Sequence, residues 1–561
     1  MNRLGYLDAE HAYEKQHFSD FFIHTKSVSE ATDDGIAFVC GRRGSGKSAI
    51  ANMLGSMLSA DGKRKYDVHI AMSRSDYEST QVQLCDDLTT TLRHASPINV
   101  EIYYYHIWNY ILRISVIIGC VKITQALPPL QQEEKYRSIT EYVKSFYAGA
   151  DSCPAEEALD KARICLEAVA GSRSPTVGFS AELTRCFNDD RHRDAYNLAR
   201  SFFRDYRGIL SIDTIEQYSV THPYLAAWKG MCRAVKDFHI SQKGENFFLK
   251  CFLPAELTTL LFAENLAKYN EISVYLRWSY AELIEFISRR YANFLKNAEC
   301  PEHLHITETI DSYRKNMCDK SKAKEILKEE LWHTYFPRFV RNIYGWEEDS
   351  AAYIIRHTQK RPREILSCMN HIVEEAIENR TIPKVSEKSV YDGIHHPRNL
   401  HQLLTDSVSI FYAIYGSIGE GGSISDLARV MFSNETTIFT EAKLRQFAKR
   451  AFSVLYGVSM AASVADRDAV DMVIRSGLVG VVVDPESSER NILSNRNFKY
   501  YYTKFEYCVP DRIVLNDKSL CAVHPMLGDP LRLKDPKNGV VYPLPEPQDV
   551  SLGLLRETDF E

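Results

Sequence analysis

Residues Gly41-Arg42-Arg43-Gly44-Ser45-Gly46-Lys47-Ser48 constrain this chain more than any other segment, because of what stands on either side of them. Before them runs Gly35-Ile36-Ala37-Phe38-Val39-Cys40, continuously apolar like a strand buried on both faces of a parallel sheet. After them, Ile50, Met53, Leu54 and Met57 recur at the spacing of one helix face. The pattern G-x-x-x-x-G-K-S, set between strand and helix, is the sequence form of a phosphate-binding loop. Its glycines let successive N–H groups turn inward around phosphate oxygens. The helix that starts near Lys47 aims its own N–H groups and partial positive charge at the same anion. Lys47 is expected to reach the β- and γ-phosphates and the Ser48 hydroxyl to ligate Mg²⁺. Gly41, Gly44, Ser45, Gly46, Lys47, Ser48 and Ala49 thus form the expected contact set for ATP·Mg²⁺.

Such a site needs a carboxylate at the end of a neighbouring strand to complete the metal shell. Gly208-Ile209-Leu210-Ser211-Ile212-Asp213 is a strand-like run closed by Asp213, which becomes the candidate metal ligand beside Ser48. Glu216 is the candidate base that orients the attacking water. Efficient ATPases often carry their glutamate directly after the aspartate. Thr214 stands there instead, so slow turnover is expected. Further strand-like runs near 66–71, 247–253 and 272–276 make about five strands separated by helical segments, an α/β series with a parallel sheet. A mostly helical insertion fills about 75–205, and its aromatics Tyr103, Tyr104, Tyr105 and Trp108 are read as core.

Composition narrows the class further. The 561 residues leave room for several domains, and 45% hydrophobic with 25% charged residues is ordinary for a globular protein. The start is charged with no apolar leader, and the 13 cysteines fall singly with no Cys-x-x-Cys pair. Both point to a reduced, cytoplasmic setting. The apolar stretch Tyr110–Val121, interrupted by Arg113, reads as a buried helix or strand too short for a bilayer. A net charge of −6 gives no global pull toward nucleic acid or an anionic membrane.

Ser279 with Glu282 three residues on forms a capping box, and Leu283, Ile284, Ile287 and Leu295 predict a helix over about 280–296. A later helix opens at Arg361-Pro362-Arg363-Glu364, with Pro362 suited to a first turn and Ile365, Met369, Ile372 and Ala376 on its buried stripe. A phosphate-loop core followed by a helical lid with an arginine-bearing turn resembles the AAA+ and STAND superfamily, near its KAP and origin-recognition-like branches. It is similar to bacterial P-loop ATPases of anti-phage defence systems. Over residues 1–277 the resemblance implies an ATPase core, and over 278–382 a helical lid. It also implies that Arg363, or else Arg361, contacts the γ-phosphate, and that Arg277, Arg207 or Arg289 acts as a finger. A nucleotide-dependent switch follows, forming homo-oligomers and regulating a separate effector protein.

Residues 383–561 carry a different pattern. Helical stretches near 399–417 and 440–455 precede a helix at about 469–475. Two alternating runs, 478–483 and 499–509, follow and are joined by a polar loop at 484–497, as in a winged helix. DNA binding is one use of that arrangement. However, residues 391–561 hold 22 Asp plus Glu against 18 Lys plus Arg, a thin supply of phosphate contacts. His395, His396, His401 and His524 show no metal-ligand spacing. Three functions remain open: a regulator that switches an effector, a DNA-binding loader or remodeller, and a scaffold that binds nucleotide without turnover.

Overall fold

The computed structural model describes residues 4–58, 64–72, 97–126, 134–146, 187–213, 224–415, 424–432, 436–483, 499–505, 515–533 and 539–554, apart from isolated positions (8, 10, 12–13, 15–16, 188–189, 243, 264, 517, 529–530 and 532). The protein is a mixed α/β structure built on a five-stranded parallel sheet and many helices. Strands β1 (Phe38–Gly41), β2 (Val68–Met72), β3 (Gly208–Ile212), β4 (Phe247–Pro254) and β5 (Ser273–Tyr275) lie in the order β2-β3-β4-β1-β5. Every pairing is parallel, with Phe38 opposite both Cys251 and Ser273.

Because side chains alternate along a strand, the sheet buries two different faces. Val39, Ile209, Phe252 and Val274 pack with the Lys26–Ala31 and Lys47–Leu54 helices on one face. Phe38, Cys40, Leu210, Ile212, Leu249 and Cys251 pack on the other, under the Pro97–Ala126, Asp190–Phe202 and Tyr224–Ser241 helices. This two-sided burial explains why β1 reads as an unbroken apolar run and β3 and β4 as mainly apolar ones.

The apolar stretch that looked too short for a bilayer belongs to a helix of 30 residues. Its segment Glu101–Ala126 is long and apolar enough to span a membrane, but 83% of that window is buried inside the protein. Arg113 did not end it, since the guanidinium lies over the Tyr196 ring, 5.4 Å from its centre. Tyr103, Tyr104 and Trp108 are core residues.

The helices Tyr280–Asn297 and Pro362–Glu378 occupy the expected positions, the first with its Ser279–Glu282 capping box in place and the second with proline in its first turn. Between them lies a hairpin of β6 (Phe339–Arg341) and β7 (Glu347–Asp349). These helices and the C-terminal region share one continuous apolar cluster running from Leu4 to Leu554. The C-terminal sheet is larger than two wing strands. β9 (Val479–Val482) does pair antiparallel with β10 (Lys499–Lys504), but β8 (Ile438–Thr440), β11 (Leu520–Val523) and β12 (Gly539–Pro543) join them in the order β12-β10-β9-β11-β8. The polar loop of 484–497 lies outside the described residues.

Candidate functional site

All five strands of the parallel sheet point their carboxyl ends to one edge, and ligands of open α/β sheets bind outside that edge where the strand order reverses. Here the chain leaves β1 for the far side through β2, and later crosses back to β5 on the other side of β1. Gly41 ends β1 at that place, and the loop to Lys47 follows. Gly44 and Gly46 take φ of 83° and 102°, values that side chains with a Cβ rarely adopt. Gly46 is the N-cap of the Lys47–Leu54 helix and offers no side-chain acceptor, so the first-turn N–H groups are not capped from within.

Lys47 is buried and folds back on its own loop. Its Nζ donates to Gly41 O at 2.7 Å and Arg42 O at 3.1 Å. The Ser45 hydroxyl is buried and makes no hydrogen bond among the described residues. Trp278 Nε1 donates to Ser45 O at 2.9 Å, which pins the loop's middle to the start of the helical region. Asp213 is buried immediately after β3, with its N–H donating to Met72 O at 3.2 Å. One strand, β4, separates it from the loop, which sets the two backbones on the order of 10 Å apart across the sheet. Glu216 lies outside the described residues.

Beside the loop opens a cleft of ≈ 1070 Å³, its open mouth included. Gly44 to Ile50 line one wall, and Pro362, Arg363 and Leu366 line another. The remaining wall comes from a part of the chain that sequence patterns did not single out, with Tyr6, Phe22 and Ile23 facing the loop. That N-terminal segment is held by long-range polar contacts. Asn370 Oδ1 accepts from Leu4 N at 2.7 Å, and the Arg290 guanidinium pairs with Glu14 at 2.8 Å between the Phe21 and Phe286 rings.

The five candidate arginines separate by position. Arg363 lines the cleft, donates its N–H to Gly44 O at 3.3 Å and sends Nε to Leu7 O at 3.2 Å. Arg361 is buried instead, bonded to Arg43 O at 2.9 Å and paired with Glu364. Arg277 is half-exposed and faces Glu546 at 3.9 Å. Arg207 precedes β3, at the opposite edge of the sheet, and pairs with Asp34 at 2.6 Å. Arg289 pairs with Glu285 at 2.8 Å along its own helix. Neither Arg207 nor Arg289 belongs to the cleft lining.

Behind the loop lies a sealed junction. Arg42 is buried, and its three guanidinium nitrogens meet three parts of the chain: Glu256 Oε1 at 2.9 Å, Gln359 Oε1 at 2.6 Å and Ser476 O at 3.0 Å. Gln359 Nε2 in turn donates to Gly477 O at 2.9 Å, and Arg475 Nη1 reaches Glu256 O at 2.9 Å. His524 is buried nearby with Nδ1 accepting from Met526 N at 3.2 Å. Burial, with Arg361, Arg42 and Arg356 close by, pushes its pKa down to about 3 against the pull of the Thr358 carbonyl. Arg42 sits at a motif position that phosphate geometry leaves free, so the motif alone gave no sign of this role.

Residues 282–396 match the model of a FunZ-associated C-terminal helical domain. No curated protein and no solved structure matches the chain. The FunZ-associated stretch begins at the third residue of the Tyr280–Asn297 helix and contains the β6–β7 hairpin and the whole Pro362–Glu378 helix. Arg290, Gln359, Arg361 and Arg363 all fall within it, so the cleft and the junction are each built partly from that domain.

Proposed function

We propose that the chain binds ATP·Mg²⁺ in this cleft and works as a slow ATPase switch that reports its nucleotide state to a partner protein. The observation that carries this reading is the glycine-built, uncapped helix start at the carboxyl edge of a parallel sheet, with Lys47 and an unpartnered Ser45 hydroxyl in the loop. In this reading the first-turn N–H groups and Lys47 hold the phosphates, and the apolar wall of Tyr6, Phe22 and Ile23 receives the base. Ser48 and Asp213 would hold Mg²⁺, which neutralises charge that develops on the phosphoryl oxygens. Arg363, in the first turn of the Pro362–Glu378 helix of the lid, neutralises the terminal phosphate. Thr214 after the aspartate supports slow turnover, and Glu216 remains the proposed base.

The switch follows from the two sets of bonds around Arg42. Lys47 reaches a phosphate only by giving up the Gly41 and Arg42 carbonyls. The Arg42 side chain hands that readjustment to Gln359 in the lid and Ser476 in the C-terminal region. Residues 1–277, 278–382 and 383–561 then act as core, lid and reporter. The defence setting rests on the resemblance given above together with the FunZ-associated domain.

A DNA-binding role draws on one feature. The chain runs from β8 through three helices to β9, and β11 lies between β8 and β9 in the sheet, an arrangement similar to a winged helix with β10 added between β9 and β11 in the chain. Yet the helix that would enter a groove, Asp466–Ser476, carries three aspartates against two arginines, and Arg475 is tied to Asp471, Glu256 and Thr259. Charge favours a protein or oligomer contact over a phosphate backbone. The decisive experiment compares wild type with Lys47→Ala in binding a fluorescent ATP analogue with Mg²⁺, and in native mass with and without ATP. The variant should bind at least 100-fold more weakly and show no nucleotide-dependent change in assembly. Undiminished binding in the variant rejects the site.

A further inference from the structure

The face of the parallel sheet away from the Lys47–Leu54 helix carries a second cleft, of ≈ 770 Å³ with its mouth included. Lys229, Arg233 and Lys236 stand at i, i+4 and i+7 on the Tyr224–Ser241 helix and so share one side of it. Lys268, on the short Leu266–Asn270 helix, lines the cleft with them. Two carboxylates, Glu101 and Asp237, complete the charged lining, so cations exceed anions by two in a chain whose net charge is −6. Arg233 and Lys268 are exposed, and Lys229 and Lys236 are partly buried. The Lys236 side chain is only 15% exposed, lies 3.4 Å from Asp237 and has its ammonium over the Tyr269 ring, 5.5 Å from the centre. Arg233 lies over the Tyr105 ring at 4.9 Å. Aromatic faces thus hold two of the four cations in place, which lowers the entropy lost on meeting an anion.

We propose that this cleft is a second anion site that takes the phosphate group of a small phosphorylated molecule. Lysine and arginine supply multidentate donors for a phosphate dianion, and its charge matches the surplus of two. Glu101 and Asp237 can accept from hydroxyl or amino groups on the rest of such a molecule, and they repel a continuous polyanion laid across the opening. The volume suits a ligand of nucleotide or sugar-phosphate size.

The test uses the full chain carrying Lys47→Ala, which removes the loop beside β1 from consideration, with wild type alongside. Pyrophosphate is titrated while hydrogen exchange is followed in peptides covering 226–238 and 265–270. Protection there in both proteins, with at least tenfold weaker binding in Arg233→Gln/Lys268→Gln, is the expected result. Protection confined to 41–50 in wild type and lost in Lys47→Ala overturns the proposal while leaving the reading of the loop intact. Protection of the same helices by a single-stranded oligonucleotide but not by pyrophosphate also overturns it. Inorganic phosphate and ribose 5-phosphate, run as parallel arms, decide between a free and an organic phosphate.

Discussion

The cleft in front of the Gly41–Ser48 loop and the junction behind it are separated by the thickness of one backbone, yet they treat charge in opposite ways. In front, Lys47 on Gly41 and Arg42 and Arg363 on Leu7 are held by main-chain carbonyls that a competing anion can replace. Behind, the buried Arg42 has a full carboxylate, a side-chain amide and a carbonyl, all taken from distant parts of the chain. A charge on exchangeable partners suits binding, and a charge on fixed partners suits transmission of strain. The difference teaches that one loop can serve both ends because its side chains divide between two environments.

That contrast can be broken in four places. The largest effect is expected at Arg42→Ala, which leaves the mostly covered Glu256 carboxylate without its cation and should cost about 3–5 kcal/mol in urea unfolding. A loss below about 1 kcal/mol would mean that the junction is not sealed. Adding Glu256→Ala to that variant should recover part of the loss. Asp213→Asn comes next and acts on the front alone. Its Mg²⁺-dependent phosphate release should fall at least 100-fold, about 2.7 kcal/mol in barrier, with unfolding little changed. An equal fall from another acidic substitution, with Asp213→Asn active, would reassign the metal ligand.

His524 gives the third test. Its folded pKa of about 3 lies below its ordinary 6.5, so between those values the unfolded chain binds the extra proton. Stability is therefore full above pH 6.5 and declines as pH falls, by at most about 2 kcal/mol from this residue at pH 5. His524→Leu should flatten the difference between pH 7 and pH 5, and an unchanged slope would place the acid sensitivity elsewhere. The smallest effect is Gly477→Ala, at about 1 kcal/mol. Gly477 has φ of 75°, and an added Cβ would stand 2.4 Å from the Gln359 amide. Hydrogen exchange near 474–480 should rise in that variant without loss of nucleotide binding.

Much of the front was legible in the sequence because each piece has a local cause. β1, β3 and β4 are mainly apolar since both faces are covered, and the Ser279–Glu282 cap and Pro362 mark helix starts within a single turn. The back was not legible. Arg42 meets Gln359 and Ser476 across 317 and 434 residues, and no periodicity encodes a partner that far away. The N-terminal wall of the cleft is likewise fixed by Asn370 and Arg290, not by a pattern of its own. In the C-terminal sheet, β8 has only three residues and β11 four, too short for alternation to stand out.

The long helix Pro97–Ala126 has a consequence for how the chain is made. Its main packing partner, Tyr224–Ser241, leaves the ribosome about a hundred residues later, and β1 gains both its neighbours only once Tyr275 has been added. Until then a 26-residue apolar segment with the length of a membrane span lacks its main cover. Newborn chains must therefore be shielded, by a chaperone or by rapid helix pairing, from the membrane-targeting machinery and from one another.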